Sequence, residues 1–97
     1  MNSSIVIALP KIDDAKKIRT ILNRHGFSVA AVCSTASTAL ASMSELDGGV
    51  LICGYKLTDR YYRDVLEDIP SYFEMLLLAS GRVIAEAPTS VLTVEMP

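Results

Sequence analysis

The chain has 97 residues, enough for one domain near the size at which a single core only just suffices and too few for a second. Hydrophobic residues make up 51%, which excludes a disordered chain and points to a sheet covered on both faces. Nine basic and eleven acidic residues give a formal charge of -2 with no long run of like charge, so a phosphate-tracking surface for nucleic acid is excluded.

The amino-terminal segment Met1 to Pro10 has no basic leader, and its apolar stretch is too short for a signal peptide or a membrane span. The chain is therefore expected in the cytoplasm, without membrane contact. Ser4 to Leu9 reads as a first strand, and a helix follows from about Ile12 to His25, with Ile12, Ala15, Ile18, Ile21 and Leu22 on one face. Asp13 and Asp14 in its first turn and Arg24 and His25 in its last complement the helix dipole, and Gly26 supplies a left-handed stop. Phe27 to Val32 reads as a second strand. Ser34 or Thr35 then caps a helix whose stripe is Ala36, Ala39, Leu40, Met43 and Leu46, ended by Asp47-Gly48-Gly49. Val50 to Cys53 is a continuous apolar run, the mark of a central strand buried on both faces. Tyr61 to Ile69 makes a short helix stopped by Pro70, and Glu74 to Ala79 a fourth strand. Ser80 to Ser90, with Gly81, Val83, Ile84 and Pro88, makes a poor helix; Val91 to Glu95 is the last strand, followed only by Met96-Pro97.

This alternation predicts an α/β, doubly wound, flavodoxin-like parallel sheet, with its ligand crevice at the carboxyl ends of the strands. Those ends are Leu9-Pro10-Lys11, Gly54-Tyr55-Lys56, Ala79-Ser80 and Met96-Pro97. Phosphoryl transfer to a carboxylate needs a nucleophilic aspartate, further carboxylates for a hard divalent cation, and a cation or hydroxyl for the developing charge. The strand ends supply almost none of these. A phosphate-cradling glycine loop and a nucleophile-base pair are also lacking, so the chain is not expected to be an enzyme or to carry a cofactor or metal.

Several stretches carry a family resemblance: Ile18-Arg19-Thr20-Ile21-Leu22 through Gly26-Phe27-Ser28-Val29, then Ala39-Leu40, then Val50 to Asp59. They resemble the receiver domains of response regulators in two-component signalling, over essentially the whole chain. The resemblance implies a five-stranded sheet of order 2-1-3-4-5, here with a reduced fourth helix and no fifth. In that family the position of Gly54 is the aspartate that accepts the phosphoryl group, and those of Leu9 and Pro10 are an acidic pair that binds magnesium. The family's threonine or serine falls on Ala79, its lysine on Met96 and its aromatic switch on Thr93, while Pro97 matches its proline and the cis bond before it. The resemblance thus implies a pseudo-receiver, controlled independently of phosphorylation. The strand-one ending Ala8-Leu9-Pro10, the helix start Asp14-Ala15-Lys16-Lys17-Ile18-Arg19 and Ile52-Cys53-Gly54-Tyr55 resemble, further, the degenerate receivers that precede an ANTAR output domain, an RNA-binding module of antitermination regulators. That implies transcription regulation in a bacterium, with RNA bound only through an output domain outside these 97 residues.

Asp13-Asp14 and Asp59 are the alternative acidic pair and phosphoacceptor, but the pair falls inside the first helix and Asp59 about five residues past its strand, where a loop or helix-capping role is the simpler reading. Cys33 and Cys53 lack metal-ligand spacing, the lone His25 has no second ligand, and two strand spacings, about 10 Å, separate the thiols, too far for a disulfide. Both cysteines read as small buried hydrophobes. Tyr55, Tyr61, Tyr62 and Tyr72 cluster around the loop and third helix as a candidate partner surface. Two functions are expected to compete. One is a regulatory module acting through a protein partner or its own copies; the other is a sensor whose crevice binds a small ligand or anion through Lys11, Lys56 and Ser80. Without a fifth helix, strands one, three and five are expected to expose apolar side chains and favour a dimer or higher oligomer.

Overall fold

The computed structural model describes residues 4–79 and 92–95. Along them run β1 (Ser4–Ala8), α1 (Ile12–Arg24), β2 (Val29–Cys33), α2 (Ala36–Ser44), β3 (Gly49–Gly54), α3 (Tyr62–Asp68), β4 (Phe73–Ala79) and β5 (Leu92–Glu95). All strand pairs are parallel, in the order β2-β1-β3-β4-β5. This is the doubly wound α/β fold that the alternation of strand and helix predicts, in the receiver-like strand order that the resemblance implies. The segment expected as a reduced fourth helix, 80–90, lies outside the described residues, as do Met96 and Pro97.

Sheet parity divides the apolar residues into two layers, because alternate side chains of a strand point to opposite faces. On one face Val6 and Ala8 of β1, Leu51 and Cys53 of β3, and Phe73, Met75, Leu77 and Ala79 of β4 pack with Ala36, Ala39 and Met43 of α2 and Tyr62 and Val65 of α3. On the other, Ile7, Leu9 and Ile52 pack with Ala15 of α1, while Val50, Leu76 and Leu78 are only partly buried. Strands one and three do not expose the apolar surface expected of them at Ile7 and Ile52, because α1 packs over β2 and β1 and its Ala15 joins both in one buried cluster. The exposure falls further along the sheet, where Val94 of β5, paired with Leu78, is 45% exposed.

The helix boundaries have local causes. α1 ends where Gly26, at φ 85°, turns the chain, and the N–H groups of Gly26 and Phe27 donate to the carbonyls of Asn23 (3.1 Å) and Leu22 (3.0 Å). That closes the last turn in the manner of a Schellman motif. Phe27 is consumed by this stop and stands exposed, so β2 begins at Val29, two residues later than its hydrophobicity suggests. Of the α1 stripe, Ala15 is buried and Ile18 and Leu22 half-buried, but Ile12 and Ile21 face outward. α2 is capped by Thr35, whose hydroxyl oxygen accepts from the Thr38 N–H at 3.2 Å.

The turn into β3 depends on two glycines. Gly48 and Gly49 hold φ of 149° and 155°, and a Cβ on Gly49 would lie 1.8 Å from the Ser4 carbonyl oxygen. Only a residue without a side chain lets β3 slide in between Ser4 and Tyr72 at that point. The Ser4 N–H donates to Gly48 and the Gly49 N–H to Tyr72, which sets the register of β3 against both neighbours.

Candidate functional site

The sheet reverses direction of growth between β1 and β3, and in a doubly wound fold a crevice opens outside the strand ends at that point. Here it has a volume of about 680 Å³. Its strand-end floor comprises Leu9, Pro10, Gly54, Leu78 and Ala79; Asp14, Lys17 and Ile18 of α1 form one wall, and Tyr55 and Lys56 of the β3–α3 loop form the lip.

Register decides what meets what on the floor. Ala8 pairs with Cys33 on one side and Cys53 on the other, so the next residues, Leu9 and Gly54, emerge together. A Cβ added to Gly54 would lie 3.1 Å from Leu9 Cδ2 and 3.4 Å from Pro10 Cδ. Apolar carbon therefore occupies the space immediately beside Gly54. The three positions where the resemblance implies a phosphoacceptor and an acidic pair form a continuous hydrocarbon surface.

A hard divalent cation takes six or more oxygen ligands, several of them carboxylates. Leu9, Pro10 and Gly54 offer no side-chain oxygen, and Asp14 is the one carboxylate among the described residues lining the crevice. No cluster of three or more His, Cys, Asp or Glu exists among the described residues. The residues present do not fit a magnesium site.

Asp59, the alternative acceptor, is engaged elsewhere. Its Oδ1 accepts from the Ala36 N–H at 2.7 Å, and its Oδ2 accepts from the Ser37 N–H at 3.2 Å and the Ser37 hydroxyl at 3.1 Å. The neighbouring Thr58 donates from both N–H and hydroxyl to the Ser34 carbonyl, at 3.3 and 3.1 Å. The first turn of α2 is thus satisfied from outside by a carboxylate 23 residues away in the chain. The Ala36 N–H, followed by the Ser37 donors, holds the Asp59 carboxyl below its ordinary pKa. A capping role was legible in the sequence; its target, α2 instead of the helix that follows, was not.

The loop that carries Asp59 is braced throughout. The Leu57 N–H donates to the Arg60 carbonyl at 2.7 Å, the Tyr62 N–H to the Tyr55 carbonyl at 2.9 Å, and the Leu57 side chain is buried. Arg60 pairs with Asp68 at 2.6 Å. On this frame Tyr55 and Tyr61 meet edge to face with centroids 5.4 Å apart, and the Lys56 ammonium sits 5.3 Å from the Tyr61 centroid. Tyr62 is buried in the core and Tyr72 lies at the opposite end of the sheet beside Gly49, so the aromatic surface is Tyr55 and Tyr61 alone. Of the four clustered by distance along the chain, Tyr62 does meet Tyr55, with ring centroids 6.0 Å apart, and the strand direction separates Tyr72 alone.

Of the residues expected to contact an anion, Lys56 lines the crevice and Ser80 lies outside the described residues. Lys11 does not line it: this residue is the N-cap of α1, in extended backbone before the first turn. Lys17 takes that place, because residues 14, 17 and 18 share one helix face at i, i+3 and i+4. That spacing was readable, but which face turns toward the strand ends was not. Thr93 is half-buried on β5 opposite Leu77. Cys33 and Cys53 are free and buried on either side of Ala8, two strand spacings or about 10 Å apart. Burial pushes the Cys53 thiol up to about 12.

No family model matches this chain, and no curated protein matches it either. Its fold is similar to that of a solved structure, the anti-anti-sigma factor PhyR from Bartonella quintana, with a TM-score of 0.80 and 16% identity. The match covers 100% of this chain and 42% of that one, so the chain spans less than half of that protein's length. At that identity the likeness is one of fold.

Proposed function

We propose that this chain is a non-catalytic regulatory module of receiver-like fold, a pseudo-receiver that works through its surface and not through an aspartyl phosphate. The observation that carries the reading is the surroundings of Gly54, where Leu9 and Pro10, which have no side-chain oxygen, stand beside the point at which a phosphoacceptor side chain would start. Asp59 supports it from the other side, since its oxygens are committed to the start of α2. The designation of PhyR as an anti-anti-sigma factor is a regulatory one and supports the same class.

The partner surface is the exposed Tyr55 and Tyr61 pair with Lys56, held on a braced loop and so presented at little entropic cost. Copies of the chain meet through the β4–β5 face, where Leu76 and Leu78 are half-buried and Val94 is exposed. The effector is an ANTAR-type RNA-binding antiterminator in the parent protein, a reading supported by the resemblance of the segments around Leu9 and Gly54. The setting is cytoplasmic, consistent with the absence, among the described residues, of any helix long and apolar enough to cross a membrane. Incubation with acetyl phosphate or beryllofluoride and magnesium, followed by intact mass and tryptic mapping, tests the reading. We expect no adduct, and a magnesium-dependent phosphoaspartate would overturn it.

A second reading, a sensor of a small ligand or anion, is favoured by one observation. Lys17 and Lys56 reach the same crevice from different elements, and neither has a carboxylate within ion-pair distance among the described residues.

A further inference from the structure

The crevice has a chemical signature more specific than a pocket near a switch point. Its floor and inner wall are hydrocarbon: Leu9, Pro10, Ile18, Leu78 and Ala79. Among the described residues its charges are two lysines and one aspartate, Asp14, a local sum of +1 in a chain whose formal charge is -2. Its volume of about 680 Å³ falls in the range of about 300–1,000 Å³ typical of small-molecule sites.

We propose that the crevice takes a small amphiphilic monoanion, with its apolar body on the Leu9, Ile18 and Leu78 floor and its single negative head toward Lys17 and Lys56. This assignment rests on the sensor reading and names the ligand class for it. Three features argue for it over other ligands. Among the described residues, free phosphate or a nucleotide finds neither a guanidinium fork nor a glycine-rich loop, and the first-turn donors of α2 are already taken by Asp59 and Thr35. A dianion meets Asp14, which offsets one of the two lysines. A neutral apolar molecule leaves the net charge of +1 uncompensated, whereas a monoanion balances it while the lysine stems lie along its apolar body.

The experiment compares two fluorescent probes of the same aromatic body, anilinonaphthalene sulfonate, which carries one negative charge, and N-phenylnaphthylamine, which carries none. Each is titrated into the full chain and into the double variant K17Q/K56Q, with amide shifts followed by NMR. The sulfonate is expected to bind the native chain about tenfold more tightly than the neutral dye. The double variant is expected to lose that preference, binding the two dyes alike, and shifts are expected at Gly54, Tyr55 and Ala79. Equal binding of both dyes to the native chain, with shifts at those three residues, overturns the monoanion class and leaves the crevice a ligand site. Shifts confined to Leu76 and Val94, or no binding of either dye, overturn the sensor reading itself.

Discussion

Replacing Asp59 by alanine removes three hydrogen bonds at once, from the Ala36 N–H at 2.7 Å, the Ser37 N–H at 3.2 Å and the Ser37 hydroxyl at 3.1 Å. The side chain is exposed, so little buried area is lost and the effect is that of an N-terminal cap with a charge. Loss of such a cap costs about 0.5–2 kcal/mol, part of it the charge-dipole contribution of about 0.3–1 kcal/mol. We expect a loss of about 1–2 kcal/mol at neutral pH in urea unfolding, which for a domain of this size is about 4–8 °C in Tm per kcal/mol. Asp59→Asn keeps an acceptor for Ala36 and discards the charge, so it should fall between the two. The pH dependence has a definite sign. The native carboxyl titrates below its ordinary value, so its contribution is complete above that value, about 3.9, and is lost as pH falls through the lower native pKa. Native and Asp59→Ala unfolding midpoints should therefore converge on acidification, and the amides of Ala36 and Ser37 should lose hydrogen-exchange protection in the variant at neutral pH. An unchanged stability at neutral pH, or a difference that persists undiminished in acid, would refute the cap.

Other outcomes follow from the same geometry. Gly54→Asp is expected to fold, since Gly54 needs no left-handed backbone and its new Cβ meets the end of the flexible Leu9 side chain at 3.1 Å and Pro10 Cδ at an ordinary 3.4 Å; it is expected to remain unphosphorylated by acetyl phosphate for want of a metal site. Gly49→Ala, by contrast, drives a Cβ to 1.8 Å from the Ser4 carbonyl and should cost at least about 3 kcal/mol, read as a fall in Tm of about 12 °C or more. Cys53, buried with its thiol pushed up to about 12, should react with a thiol reagent only after denaturation, and rapid modification of the native chain at neutral pH would contradict the packing. Val94→Lys should lower the association of copies in sedimentation equilibrium, and a native chain that stays monomeric at high concentration would exclude the β4–β5 face as a dimer interface.

The parallel α/β architecture was already determined by the sequence. Continuous apolar runs at Ile5 to Leu9, Val50 to Cys53 and Met75 to Ala79 can be satisfied only by a sheet covered on both sides. Gly26 and Pro70 mark helix ends because their effects on backbone dihedrals are local. The empty chemistry of Gly54, Leu9 and Pro10 was legible for the same reason, since the absence of a side-chain oxygen needs no coordinates. What only the tertiary structure decided was every relation between elements. Asp59 reaches back to Ala36, Lys17 replaces Lys11 at the crevice, and Tyr72 parts from Tyr55 because strand register and helix rotation set those distances. Residues near in sequence become remote, and remote ones adjacent, through packing forces that act over the whole sheet and leave no periodic trace in the chain.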